Sequence, residues 1–178
     1  MPIPRFWAGP LRIRQSGQPL TERWQDVPLA PRHSTLLGIS FRPLQADALG
    51  LDARTTLDRL LAYPFQIIRL GAYWNRIEPK PGVFQPAELD WQIDAAERAG
   101  KQIIVCIGPV KTFGYPECFV PAHHLHPPLW EHTRITPSSY RPLLTAATDF
   151  IARLVDRYRT RNGIVAWQLE QEAVDPLG

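Results

Sequence analysis

Gln102-Ile103-Ile104-Val105-Cys106-Ile107 decides how the rest of the chain is read. Apolar residues at consecutive positions leave no polar face, so a strand of this kind has to be covered on both sides. Gly108-Pro109 closes the run, which is too short for an amphipathic helix and rich in β-branched residues. The flanking sequence supplies covering helices. Upstream, Pro86 opens a segment whose Leu89, Ile93 and Ala96 share one face before Gly100 caps it. Downstream, a long loop runs to about Thr136. Leu143, Ala147, Ile151, Leu154 and Tyr158 then recur at helical spacing until Asn162-Gly163.

The same alternation continues outward in both directions. Phe65-Gln66-Ile67-Ile68-Arg69-Leu70-Gly71 reads as the preceding strand, entered from a helix with Asp52 as N-cap. Leu57, Leu60 and Leu61 form that helix's stripe, and Pro64 stops it. Leu36-Leu37-Gly38-Ile39-Ser40-Phe41 reads as the first strand, and Ile164-Val165-Ala166-Trp167-Gln168-Leu169-Glu170 as the fourth. A βαβαβαβ order implies a parallel sheet, either open and doubly wound or closed into a barrel. No Gly-x-Gly-x-x-Gly follows the first strand, where an open nucleotide-binding sheet would place its phosphate loop. The expected fold is therefore α/β, the first four strands of a parallel (β/α)8 TIM barrel, a half-barrel over residues 35–178. Residues 1–34, rich in Pro, Gly, Gln and Arg with Trp7 and Trp24 as isolated anchors, read as an irregular N-terminal extension.

Composition narrows the function classes. The 178 residues are 44% hydrophobic and 21% charged, an ordinary balance for a globular domain. The net charge of +3 comes from scattered arginines such as Arg12, Arg14, Arg54, Arg59, Arg153 and Arg157, with no dense block to track a phosphate backbone. Nucleic acid is not an expected partner. No apolar run approaches the ~20 residues of a membrane helix, and Met1-Pro2-Ile3-Pro4-Arg5 does not open a secretory signal, so a cytoplasmic location is expected. Cys106 in a strand and Cys118 in a loop read as two reduced thiols.

In parallel barrels the reacting groups stand at the C-terminal ends of the strands. Those ends are polar here. The second strand delivers Arg69, Tyr73 and Trp74, the third leads to Lys111, Tyr115 and Glu117, and the fourth brings Glu170, Gln171 and Glu172. Strand alternation puts Gln168, Glu170 and Glu172 on one face. Two carboxylates near an arginine have their pKa values pushed apart, which leaves one able to hold a proton at neutral pH. Arg69, inside an apolar strand, calls for an acidic partner. His123, His124 and His126 have no carboxylate or cysteine at a recognisable metal-ligand spacing. They read as solvated histidines of a Pro-rich loop, with no metal and no cofactor expected.

Several of these motifs form a known pattern. Trp167-Gln168-Leu169-Glu170-Gln171-Glu172 resembles the fourth-strand signature of retaining (β/α)8 glycosidases, in which an Asn-Glu pair ends the strand. Ile68-Arg69-Leu70, Trp74, Arg76, Glu78-Pro79, Pro81-Gly82-Val83-Phe84 and Leu89-Asp90 are similar to the second repeat of the β-galactosidase-like families of that clan, families thirty-five and forty-two. Gly108-Pro109 with Gly114-Tyr115-Pro116 is similar to the third-strand loop of the same group. The likeness covers most of residues 35 to 175. It implies hydrolysis of O-glycosidic bonds, with Glu172 as general acid/base and Arg69 ordering the second carboxylate. It also implies Gln171 in the place of the Asn that contacts the sugar 2-hydroxyl. Gln is longer by a methylene, a departure at a contact that strengthens in the transition state. The nucleophile of these enzymes ends the seventh strand, and no position here corresponds to it.

Each residue also has a plainer reading. Glu170 and Glu172 could be solvated charges at a strand end, Arg69 an ordinary ion-pair partner, and Phe113, Tyr115 and Trp130 anchors of their own loops. Trp74 is the aromatic expected to stack on sugar. Two functions follow: the N-terminal part of a retaining glycosidase, completed by a C-terminal half-barrel, or a non-hydrolytic carbohydrate-binding or scaffolding half-barrel that pairs with itself or another chain. In either case an exposed sheet edge and apolar inner face favour a homo-oligomer or a complementing half.

Overall fold

The computed structural model describes residues 36–114, 117–130 and 133–171, in which four strands pair in parallel in chain order. The strands are β1 (Gly38–Phe41), β2 (Ile67–Gly71), β3 (Gln102–Cys106) and β4 (Ile164–Gln168). Between β1 and β2 lie α1 (Pro43–Ala48) and α2 (Ala53–Leu61), between β2 and β3 lie α3 (Trp74–Ile77) and α4 (Ala87–Arg98), and α5 (Arg141–Tyr158) precedes β4. The extension expected over residues 1–34, and Tyr115 and Glu172, lie outside the described residues.

The register separates the two faces of the sheet. Ile39 pairs with Ile68 and Ile68 with Ile103, while Phe41 pairs with Leu70 and Leu70 with Val105. This row joins Leu57 and Leu61 of α2, Leu89, Ile93 and Ala96 of α4, and Leu143, Phe150 and Leu154 of α5 in one core. The apolar stripes expected on those helices are therefore the faces they bury. Asp52 caps α2 as expected, its carboxylate accepting from the Thr55 N–H at 2.7 Å. That backbone bond, reinforced by the Thr55 hydroxyl, holds the Asp52 carboxyl below its ordinary range.

The other row runs Ser40, Arg69, Ile104 and Ala166, followed one step along by Gly71, Cys106 and Gln168. It faces the interior of the incomplete barrel and is polar toward the C-terminal strand ends. A register shift between Ile103 and Ile104 alters the pairing with β4, and β4 ends at Gln168 rather than at Glu170. Glu170 thus leaves the alternation that sequence periodicity assigned to it. Sequence periodicity also missed α1, α3 and the 3₁₀ turn Ala122–His124, each too short to display a repeating stripe. Pro43 nonetheless starts α1 at a position where its fixed φ suits a first helical turn. Among the described residues no helix is long and apolar enough to cross a membrane.

Candidate active site

The floor of the strand-end cluster depends on two glycines. A Cβ on Gly71 would lie 2.5 Å from the Phe113 ring and 2.9 Å from the Thr112 methyl, so only glycine lets the loop after β3 lie across the end of β2. Gly108 takes φ +33°, and its missing Cβ would stand 2.2 Å from the Lys111 carbonyl oxygen. The chain folds back on itself there, bringing Phe113 over the sheet.

Arg69 projects from β2 into this cluster. Its Nε donates to the Ser40 hydroxyl at 3.0 Å, and one terminal nitrogen donates to Gln168 Oε1 at 3.0 Å and Gln171 Oε1 at 3.3 Å. The guanidinium also lies 4.8 Å from the Phe113 ring centroid, a cation–π distance. The acidic partner expected for Arg69 does not occur among the described residues. Neutral oxygens and an aromatic face hold the side chain instead, and no carboxylate among the described residues pairs with its charge. Gln168 Nε2 donates to Gln171 Oε1 at 2.7 Å, so the Gln171 oxygen is bound by two donors. That fixes the amide orientation, with the Gln171 NH₂ a donor that has no acceptor among the described residues.

Glu170 is turned away from Arg69 and onto the loop after β3. Its carboxylate accepts from the backbone N–H groups of Lys111 at 2.8 Å and Val110 at 3.1 Å, and from that of Gln171 at 3.1 Å. Burial pushes the Glu170 carboxyl up despite these three bonds. This carboxylate holds the loop in place, and Glu172, the other member of the expected carboxylate pair, lies outside the described residues. Cys106 lies beneath, its thiol donating to the Thr112 carbonyl, and burial pushes the thiol up to about 12. It is an inert core thiol, and both cysteines are reduced, as expected. Sequence reasoning missed Arg42, which follows β1. It pairs with Glu117, and its guanidinium also lies 5.1 Å from the centroid of the Phe113 ring. The second Glu117 oxygen accepts from the Phe113 N–H at 2.9 Å.

Residues 53–176 match the family described as beta-galactosidase, glycoside hydrolase family 42. The chain belongs to that family. Solved structures it is similar to include glycoside hydrolases. One is a family 5, subfamily 18 protein from Streptomyces cattleya in complex with GlcNAc, 19% identical with a TM-score of 0.58 over 79% of this chain. Another is the exo-beta-1,4-mannosidase Op5Man5 from Opitutaceae bacterium strain TAV5, 15% identical with a TM-score of 0.57 over 76% of this chain. A third is the endo-glycoceramidase II from Rhodococcus sp., described as a lactosyl-enzyme intermediate, 15% identical with a TM-score of 0.57 over 78% of this chain. The matches cover 34%, 24% and 40% of those chains, so this family 42 chain spans roughly a third of their length. Among curated proteins none matches it at the sequence level.

Two expectations for this family 42 chain change with the structure. Trp74, expected as a sugar platform, is wholly buried. Its ring stacks on Phe150 at 5.2 Å and lies 5.0 Å from the His124 ring, and its indole N–H donates to Glu78 Oε2 at 2.9 Å. With both faces covered it is a core residue joining α3 to α5. His123 and His124, expected to be solvated, are half-buried and share one acceptor. Both Nε2 atoms meet Glu78 Oε1, at 3.1 and 3.2 Å. The carboxylate that sequence spacing failed to reveal lies 45 residues upstream of His123. Burial alone would raise Glu78, but bonds from Trp74, His123 and His124 outweigh it and hold the carboxyl below its ordinary range. His126 stays exposed.

Proposed function

We propose that these strand ends form the acid/base half of a retaining β-galactosidase-type active site. Glu172 protonates the glycosidic oxygen and later deprotonates the attacking water, Gln171 contacts the sugar 2-hydroxyl, and Arg69 orders a second carboxylate. The observation that carries this reading is the Arg69–Gln168–Gln171 cluster. It fixes an amide donor at Gln171, the residue before Glu172 in sequence, beside a positive charge that no carboxylate among the described residues pairs with. With its oxygen held by Arg69 and Gln168, the Gln171 amide projects a single kind of group, an N–H donor, toward a sugar hydroxyl. Arg69 then offers its charge to an incoming carboxylate at the mouth, where a low dielectric strengthens the attraction.

Retention requires that second carboxyl about 5 to 5.5 Å from the first. In this proposal it comes from βα units other than these four, in the same polypeptide or in a partner half-barrel, which also supplies the rest of the carbohydrate subsite. The test uses a protein containing this chain together with those units and an aryl β-galactoside. Glu172→Gln should lower kcat by ~10²–10⁴-fold. Glu172→Ala supplied with azide should release a glycosyl azide of retained configuration, an outcome that structural damage would not produce. Full activity in Glu172→Gln would overturn the assignment. Carbohydrate binding with no hydrolysis in that complete protein would favour the binding-only alternative.

A further inference from the structure

Glu78 follows α3 in the loop after β2, and His123 and His124 lie in the loop after β3. We propose that these three side chains form a zinc site that ties the two loops together at the C-terminal face of the sheet. One carboxylate oxygen and two imidazole nitrogens lie within 4.8 Å of one another. The separations between Glu78 Oε1 and the two Nε2 atoms are 3.1 and 3.2 Å. A tetrahedral zinc with ligands at about 2.0–2.1 Å has ligand-to-ligand edges of roughly 3.3 Å, close to these two separations, and the two imidazole nitrogens lie within 4.8 Å of each other.

The surroundings fit as well. Glu78 Oε2 is taken by the indole N–H of Trp74 at 2.9 Å, which leaves Oε1 as the single ligand atom and fixes its direction. Such an outer partner holds a ligating group in place. The Trp74 ring is itself held by Phe150, so the site rests on the core rather than on a free loop. Two nitrogens and one oxygen are a donor set that suits zinc rather than magnesium or calcium. A water completes the fourth position.

A tag-free chain stripped with a chelator and titrated calorimetrically with zinc alone should bind one ion per chain and unfold at a higher temperature with zinc than without. Cobalt in place of zinc should give the visible absorption of a four-coordinate ion. His123→Gln, at a half-exposed ligand, and Glu78→Gln should each weaken zinc binding by ~100-fold or more, while His126→Ala should leave it unchanged. Circular dichroism identifies any variant that has not folded, and the folded one of the pair then carries the comparison. Absence of stoichiometric binding to the parent chain would overturn the site, as would equal affinity in the parent and the folded ligand variants. A loss in His126→Ala as large as in His123→Gln would also overturn it.

Discussion

Glu170 illustrates how one carboxylate can serve architecture beside the proposed active site. It accepts from three backbone N–H groups around the loop after β3, yet burial still pushes its carboxyl up. The folded chain therefore keeps this proton to a higher pH than the unfolded chain does. The group's contribution to stability is complete below the ordinary value of 4.5 and declines as pH rises through the raised folded value. Urea midpoints of the parent and of Glu170→Gln, measured from about pH 4 to about pH 7, should show the parent losing ground to the variant as pH rises. A difference constant across that range would show that Glu170 does not titrate in this way. The site was partly legible from sequence. Polar residues at the ends of apolar strands announced Arg69 and Gln171, because alternation is a local property. The neutral partners of Arg69, the Arg42–Glu117 pair and the Glu78 acceptor of the histidines come from different βα units, and no local spacing encodes such meetings.

The long elements were legible for the same reason. α2, α4 and α5 run through enough turns to repeat their apolar face, and buried strands such as β3 show as continuous apolar runs. What periodicity could not give was the end of β4 at Gln168 or the register shift against β3 near its start. The approach to that strand is held by polar contacts from α4. Arg161, in the turn before β4, pairs with Asp94 at 2.5 Å and Glu97 at 2.7 Å, and Glu97 also accepts from the Gly163 N–H at 3.1 Å. These side chains remain 26–45% exposed, so solvent screens the pairs. Arg161→Ala should lower stability by only about 0.5–1 kcal/mol, and the loss should shrink as salt is added. Glu97→Ala should lose more, because it also removes the acceptor of a backbone N–H beside the strand. Denaturant midpoints at low and high salt check both, and equal losses at the two salt concentrations would point to packing instead of charge.

At the scale of the molecule, four strands in the order β1-β2-β3-β4 leave β1 and β4 each with one neighbour among the described residues. An eight-stranded barrel has no such edges, because the last strand pairs with the first. Apolar side chains stand at both edges: Leu36 and Leu37 next to β1 are 43% and 60% exposed, and Val165 and Leu169 in and after β4 are 52% and 55% exposed. The inner row of Ser40, Arg69, Ile104 and Gln168 is also only partly covered. Unpaired strand edges with apolar flanks recruit further strands, whereas lysine on an edge discourages them. The 178-residue chain should therefore associate reversibly with copies of itself, with a sedimentation coefficient that rises with concentration. Val165→Lys combined with Leu169→Lys should shift the equilibrium toward monomer while leaving the helix-side core, to which neither residue contributes, intact. A parent chain that stays monomeric at high concentration and still unfolds cooperatively would mean that the four-stranded unit is sufficient to itself. In that case the second carboxylate of the proposed site would have to arrive from a partner that binds the strand ends without extending the sheet.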